Sequence, residues 1–364
     1  MASLSDYLQD PFVARLYRSI REAGPLRSVS LDLTHECNLR CTGCYYFEEE
    51  MDKLIAGGGD LDESFAKWIA REKKRGTNFV TIVGGEPTLR LDRLEAIYRN
   101  FRMNVATNGL IRIPYEGFEN MPIGVAVWGD HSTDARLRNA GKRDLFAMAL
   151  KNYRHDDRAF FYFTVSPGRH REIEPVVREC IENGNKVLFN YYSDLHHLGG
   201  DYDYRAGFDR VQDEVARMIE LYPEHILTTR YFNQVTTSGK LYGQTWGYEV
   251  CTNVSTNYEP NAARLRNGNP YNPHFRAYNA DFTTTRRCCT GVDRSCESCF
   301  DAWQHFSWIM VNMKKHLGSY GEFVNWLTSM YMFYYINRLV NERYDGKELV
   351  RIHQLLATVA NTTA

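Results

Sequence analysis

The stretch Cys37-Asn38-Leu39-Arg40-Cys41-Thr42-Gly43-Cys44-Tyr45 places three thiols at C-x3-C-x2-C. Three cysteines on one short loop can converge on one soft metal centre, and thiolate is the ligand that iron–sulfur clusters select. A four-iron cluster normally takes four thiolates, so three leave one iron open to another ligand. A zinc knuckle shows similar spacing. A second group, Cys251, Cys288, Cys289, Cys296 and Cys299, lies in the last third, and its dense part reads C-C-x6-C-x2-C. Four of these five can ligate a second iron–sulfur cluster, while C-x2-C with two further thiols also suits tetrahedral zinc. Cys180, on a helical stretch, reads as a buried structural thiol.

Between the groups, the strand-like run Val80-Thr81-Ile82-Val83 ends in Gly84-Gly85-Glu86-Pro87. Two glycines let backbone carbonyls approach a ligand, and Glu86 offers a negative partner for an ammonium. A plain tight turn is the alternative. Taken together and in this order, the cysteine loop after an apolar run and the G-G-E-P turn resemble the radical S-adenosylmethionine (radical SAM) superfamily. The resemblance implies a [4Fe–4S] cluster on Cys37, Cys41 and Cys44, with SAM chelated at the open iron. It implies that Gly84, Gly85, Glu86 and Pro87 bind the amino group of SAM, and that the region of Tyr45 contacts adenine.

The superfamily's SPASM and twitch branches carry auxiliary [4Fe–4S] clusters on cysteines after the barrel. No cysteine follows Cys299, so the chain departs from the full SPASM pattern and looks like the smaller type with one auxiliary cluster. The expected ligands are Cys251, Cys289, Cys296 and Cys299, although Cys288 and Cys289 are close to equal. Adjacent side chains rarely reach one site together. Cys288 is then the spare thiol, either packed or, as in radical SAM epimerases, able to give a hydrogen atom to a substrate radical.

Elements must bring these residues together. Apolar runs at Ser28–Thr34, Asn78–Val83, Met103–Thr107, Ile123–Trp128, Phe160–Val165 and Lys186–Tyr191 alternate with amphipathic stretches at Glu63–Arg75, Leu91–Phe101, Arg143–Tyr153 and Arg171–Asn183. Asp209–Tyr222 is a further helix. This alternation marks βαβ units and a parallel sheet. Six units fit the partial (β/α)6 TIM-like barrel that the resemblance implies, and pattern alone does not separate it from an open doubly wound sheet. In either fold, ligands bind at the carboxyl ends of the strands. Polar residues there are therefore candidates: Asn108, Ser166 and Asn190 for SAM; Asp130, His131, Asp194 and His196 for substrate binding or proton transfer. Solvated loops are the plainer alternative.

The expected organisation is a helical segment at 1–27 packed on the barrel through Phe12, Leu16 and Ile20, the barrel at 28–225, a cysteine-rich region at 226–302, and C-terminal helices at 303–364. Residues 230–287 read as loops and short strands. The aromatic residues Trp308, Trp326, Tyr331, Phe333, Tyr334 and Tyr335 read as core.

The 364 residues suffice for one barrel and an appendage, and 43% are hydrophobic. A net charge of −1 gives no general grip on nucleic acid, for which Arg264, Arg266, Arg286 and Arg287 are the local support. No signal peptide or membrane span is read, so the nine cysteines are taken as cytoplasmic thiols. The expected function is a radical SAM enzyme that takes a hydrogen atom from a small polar molecule such as a sugar, nucleoside or aminocyclitol in natural-product biosynthesis. Its electrons come from a one-electron reductant such as flavodoxin or ferredoxin. A peptide-modifying maturase is the alternative, and the short stretch before the first strand lowers it. A non-enzymatic iron–sulfur or zinc module leaves the G-G-E-P turn without a job.

Overall fold

The computed structural model describes residues 3–54, 61–139, 141–195, 205–266, 272–291 and 296–362. Six parallel strands, β1 (Ser28–Asp32), β2 (Phe79–Val83), β3 (Arg102–Thr107), β4 (Ile123–Val127), β5 (Ala159–Val165) and β6 (Lys186–Tyr191), pair in sequence order. This is a partial TIM-like barrel. The side-chain period of two divides each strand between two faces. Val29, Leu31, Val80, Ile82, Val105 and Val125 point outward into one core shared with the surrounding helices. Ser30, Thr81, Asn104, Thr164 and Asn190 point inward and line a cavity. Aliphatic packing thus holds the barrel from outside, and the inner wall mixes these polar groups with apolar ones such as Val83, Ala126 and Phe160.

The outer helices are α2 (Leu61–Arg75), α3 (Leu91–Tyr98), α4 (His131–Asn139), α5 (Leu145–Asn152), α6 (Ile173–Glu182) and α7 (Asp209–Leu221). The sequence reading missed α4, treating its start as a polar loop. It also missed α8 (Arg230–Ser238), whose apolar residues are separated by Asn, Gln and Thr.

Both edges of the sheet are extended by the cysteine-rich region. After a hairpin of β7 (Lys240–Leu241) and β8 (Gln244–Thr245), β9 (Ala277–Tyr278) pairs parallel to β1 and β10 (Thr285–Arg286) pairs antiparallel to β9. At the other edge Ile226 bridges Val187 of β6.

The helix α1 (Pro11–Ala23) buries Val13, Leu16 and Ile20 in a second core with α9 (Ala302–Val311), α10 (Tyr320–Ile336) and α11 (Gly346–Thr362). The N-terminal segment therefore packs mainly on the C-terminal helices, where the sequence reading placed it on the barrel. The aromatic residues Trp308, Trp326, Tyr331, Tyr334 and Tyr335 form that core. At the amino ends of the strands Asn104 Nδ2 donates to Asn337 Oδ1, just after α10, at 2.6 Å. Phe333 closes that end over a small cavity of about 50 Å³. No helix among the described residues is long and apolar enough to cross a membrane.

Candidate functional site

Parallel in-register pairing ends β1 and β2 at the same level, with Asp32 opposite Val83. The loops that follow are zipped together. Gly85 N donates to Thr34 O at 2.9 Å and Glu86 N to Glu36 O at 2.7 Å. The glycines serve this approach. Gly84 has φ +107°, and a Cβ there would stand 2.9 Å from Asp32 Cα; a Cβ on Gly85 would overlap the Glu36 carbonyl. The backbone they admit is that of the cysteine loop.

Glu86 is 1% exposed. Its Oε1 accepts from Thr88 N, Thr88 Oγ1 and Thr107 Oγ1, and its Oε2 accepts from Asn108 N at 2.8 Å. The carboxylate thus braces the end of β2 to the end of β3, a job the sequence reading did not foresee. Asn108 Nδ2 continues the brace to Asn38 Oδ1 at 2.6 Å. On the other flank Thr42 N donates to Leu137 O of α4 at 2.8 Å. Arg138, also of α4 and 1% exposed, donates to Asp134, to Ala126 O and to Asn108 O, and its positive charge lies close to the Cys41 thiol. Sequence reasoning missed Arg138, because nothing in its spacing separates a buried arginine from the many on helix surfaces.

Burial pushes the Cys37 thiol up to about 11 and Cys41 up to about 12, and it raises Cys44 as well. At Cys37 and Cys41 the neighbouring thiols add to the rise, while Arg138 opposes it at Cys41. Three buried thiols that each resist ionisation need a strong positive centre to become thiolates. That is the chemistry of a donor set for an iron–sulfur core, and the loop fits one.

The second group is gathered by side chains. Arg286 of β10 makes a bidentate pair with Asp32 at the end of β1, both contacts 2.8 Å, and donates to Cys289 O at 3.0 Å. Arg205 donates to Thr236 O, Glu297 O and Cys299 O and lies 4.1 Å from the centre of the Phe300 ring. Phe300 N donates to Ser193 Oγ beside β6 at 2.8 Å. The cysteine-rich segment therefore straddles the open seam between β6 and β1. Three of the four arginines raised as support for nucleic acid have partners within the chain. Arg286 is buried in its ion pair, and Arg264 and Arg287 lie over the Tyr248 ring.

Cys288 adjoins the other thiols electrostatically. After burial it is the leading cause that lifts Cys251 to about 12 and Cys296 to about 11, and it also raises Cys299. Cys289 also adjoins Cys288 and Cys299, whose charges help raise its thiol. It lines the barrel cavity, and its Sγ accepts from Gln304 Nε2 at 3.0 Å. The expected choice was Cys289 as ligand with Cys288 as the spare thiol, and both stand close to other cysteines of the group. Among the described residues no three His, Cys, Asp or Glu side chains form a ready-made single-ion site.

The cavity is about 230 Å³ and connects the two groups. Gly43, Cys44 and Tyr45 border it from the first loop, and Cys289, Asp301 and Trp303 from the second. Tyr45 packs beside Cys299 and Leu195. On the barrel wall Tyr162 Oη donates to Asn190 Oδ1 at 3.1 Å, and Asn190 Nδ2 donates to Thr164 Oγ1 at 3.2 Å. Asp301 was not singled out from the sequence. It caps α9 by accepting from Gln304 N at 3.1 Å, and burial pushes its carboxyl up to about 6.

Several candidates fall elsewhere. Asp130 caps α4, accepting from Thr133 N at 2.9 Å, and this holds its carboxyl below the usual range. His131 is clasped between Asp144 at 2.9 Å and Glu179 at 2.7 Å among the outer helices. Neither lines the cavity, since α4 turns both away from the strand ends. Ser166 sits in a turn closed by Arg169 N to its carbonyl and does not line the cavity. Ser193 and Leu195 line it, whereas Asp194 between them does not. His196 and His197 lie outside the described residues.

No family model matches the chain. Curated relatives named "Probable GTP 3',8-cyclase" match one part of it. That from Saccharolobus islandicus (strain M.14.25 / Kamchatka #1) is 36% identical over 95 residues, covering 24% of this chain and 29% of the relative. That from Thermococcus kodakarensis is 30% identical over 89 residues, covering 23% and 28%. The chain thus spans less than a third of the length of these relatives. Among solved structures, anSMEcpe with bound AdoMet and a Cp18Cys peptide aligns at TM-score 0.47 and 17% identity, covering 82% of this chain and 84% of that one. Streptococcus suis SuiB bound to S-adenosylmethionine aligns at TM-score 0.41 and 16% identity, covering 61% and 55%.

Three thiols on the loop after β1, the G-G-E-P turn after β2 and a partial barrel that sets them side by side are the features in which the chain resembles the radical SAM superfamily. The superfamily's cofactors are a [4Fe–4S] cluster and SAM, and the cysteine-rich region is compatible with an auxiliary cluster.

Proposed function

We propose that this chain cleaves SAM reductively and takes a hydrogen atom from a small polar molecule held in the barrel. One observation carries the reading: Cys44 and Cys289, one from each thiol group, line the same cavity. When bound, the cluster and SAM supply a 5′-deoxyadenosyl radical that abstracts a hydrogen atom from an unactivated C–H. Cys37, Cys41 and Cys44 hold the first cluster. The Glu86–Asn108–Asn38 brace fixes their loop, and the backbone of Gly84 to Pro87 faces the amino group of SAM. Cys251, Cys288, Cys296 and Cys299 hold the second centre. The unit at 28–225 acts as the catalytic barrel, with 226–302 closing its seam. Tyr162, Thr164 and Asn190 orient hydroxyl or amine groups of the substrate. Trp303 and Phe333 exclude water from below, which protects a reactive intermediate. A one-electron donor such as flavodoxin or ferredoxin supplies the electron.

Anaerobic reconstitution tests this directly. About eight irons per chain and release of 5′-deoxyadenosine on reduction with SAM are expected. About four irons with one zinc would replace the second cluster by a zinc site. Absence of deoxyadenosine from protein with a full iron complement would overturn the radical reading.

A further inference from the structure

The chemistry of the cavity wall narrows the substrate. Among the described residues that line it, Asp301 is the only one with a formally charged side chain; no lysine, arginine or histidine is present. The other polar side chains that line it carry no formal charge, and they include Ser30, Thr81, Asn104, Tyr162, Thr164 and Asn190. Asp301 Oδ1 is taken by the Gln304 amide. Asp301 lines the cavity together with Tyr45 of the first loop and Tyr162 of the barrel wall. A second observation points to a ligand independently. Ser30 is 2% exposed, faces this space from β1, and its Oγ has no hydrogen-bond partner. A buried hydroxyl without a partner loses free energy until something bonds to it.

A phosphorylated or carboxylated substrate would place its charge beside a carboxylate, with no cation among these residues to meet it. A substrate with an ammonium group meets Asp301, and its hydroxyls meet Ser30, Tyr162, Thr164 and Asn190. We propose that the substrate is an amine-bearing polyol, of the aminosugar or aminocyclitol kind, whose ammonium group pairs with Asp301. This rests on the radical reading above and deepens it. It also parts this chain from the nucleotide named in its curated relatives, because a triphosphate has no partner in the wall as described.

The test uses the reconstituted protein with SAM and four probes: glucosamine, glucose, glucose 6-phosphate and GTP. Binding is read by calorimetry and by deoxyadenosine released per chain. Glucosamine is expected to bind tightest and to stimulate release most. D301N keeps a residue that caps helices well, so iron content and SAM affinity should hold. Its preference for glucosamine over glucose should fall about 10- to 100-fold, the range for a charged hydrogen bond. Tighter binding of either phosphate, no binding of any probe, or an unchanged preference in D301N would each overturn the proposal. So would a loss of SAM affinity in D301N, which would give the carboxylate to the cofactor. Unprobed protein that releases deoxyadenosine keeps the radical reading intact whichever way the probes fall.

Discussion

The two thiol groups border one cavity, yet they are built in opposite ways. The first occupies one short loop, held by backbone hydrogen bonds to Thr34 and Glu36 and by one buried carboxylate. The second draws Cys251, Cys288, Cys296 and Cys299 from separate stretches, and side chains hold it: Arg286 on Asp32, Arg205 on the Cys299 carbonyl. A site fixed by backbone needs particular residues at fixed spacing, because only glycine tolerates the close approach at positions 84 and 85. A site fixed by side chains needs only that each arm reach its partner. The first is therefore written as a motif and the second is not.

The largest effect separates the two groups by their iron. Cys41→Ala should lose about half of the eight irons and abolish deoxyadenosine. Cys288→Ala should lose the other half yet retain deoxyadenosine release. Cys289→Ala should keep all the iron, since its thiol faces the cavity. Iron loss in the Cys289 variant together with retention in the Cys288 variant would restore the original ligand choice and break the comparison.

Next comes the side-chain clamp. Asp32 and Arg286 are both buried, and removing one leaves the other uncompensated, at a cost of about 3–5 kcal/mol. Arg286→Met is expected to shift denaturant unfolding by that amount and to deplete the second centre first, because the same guanidinium holds Cys289 O. Equal depletion of both centres would show that the clamp supports the barrel as a whole.

How much of this was legible follows from the same contrast. The six strands and five of the outer helices announce themselves by alternation and period, since burial of one face dictates the pattern. The first thiol loop and the turn beside it were legible as neighbours at the ends of β1 and β2. The choice between Cys288 and Cys289 was not, because neighbouring side chains diverge and sequence does not say which way the chain turns. Asp130 and His131 were expected at the barrel mouth and lie instead among the outer helices. A carboxylate three residues before an amide it caps looks the same as one at a barrel mouth until α4 is recognised, and His131-Ser132-Thr133-Asp134 is a weak helical signal. Asp301 was overlooked since it reads as another helix cap, which it also is.

A smaller effect is expected at the backbone-held group. Glu86→Gln keeps one acceptor oxygen but turns an amide toward donors from Thr88, Thr107 or Asn108. Leaving a buried donor without a partner costs about 1–3 kcal/mol. SAM affinity and the yield of the first cluster should both fall, whereas iron at the second centre should not. A fall confined to SAM affinity, with cluster yield intact, would show that the carboxylate meets the cofactor more than it braces the loop.

The smallest effect concerns His131, far from either thiol group. Both ring nitrogens face carboxylates, which only accept, so both donate and the ring is an imidazolium. Burial, the largest single influence, opposes the charge, but Asp144 and Glu179 together outweigh it and the folded pKa is raised above the usual histidine value. A raised pKa means that folding favours the proton. The stabilisation is therefore fully present below the unfolded histidine pKa and is lost as pH rises through the higher folded one. The clasp is well exposed, so the effect is a modest one that salt weakens further. Wild type should lose slightly more thermal stability than His131→Gln between pH 6 and pH 8, values chosen to bracket the usual histidine range, and high salt should shrink the difference. A parallel decline in both proteins would mean that the ring is held neutral and that the outer helices α4, α5 and α6 are joined by packing alone.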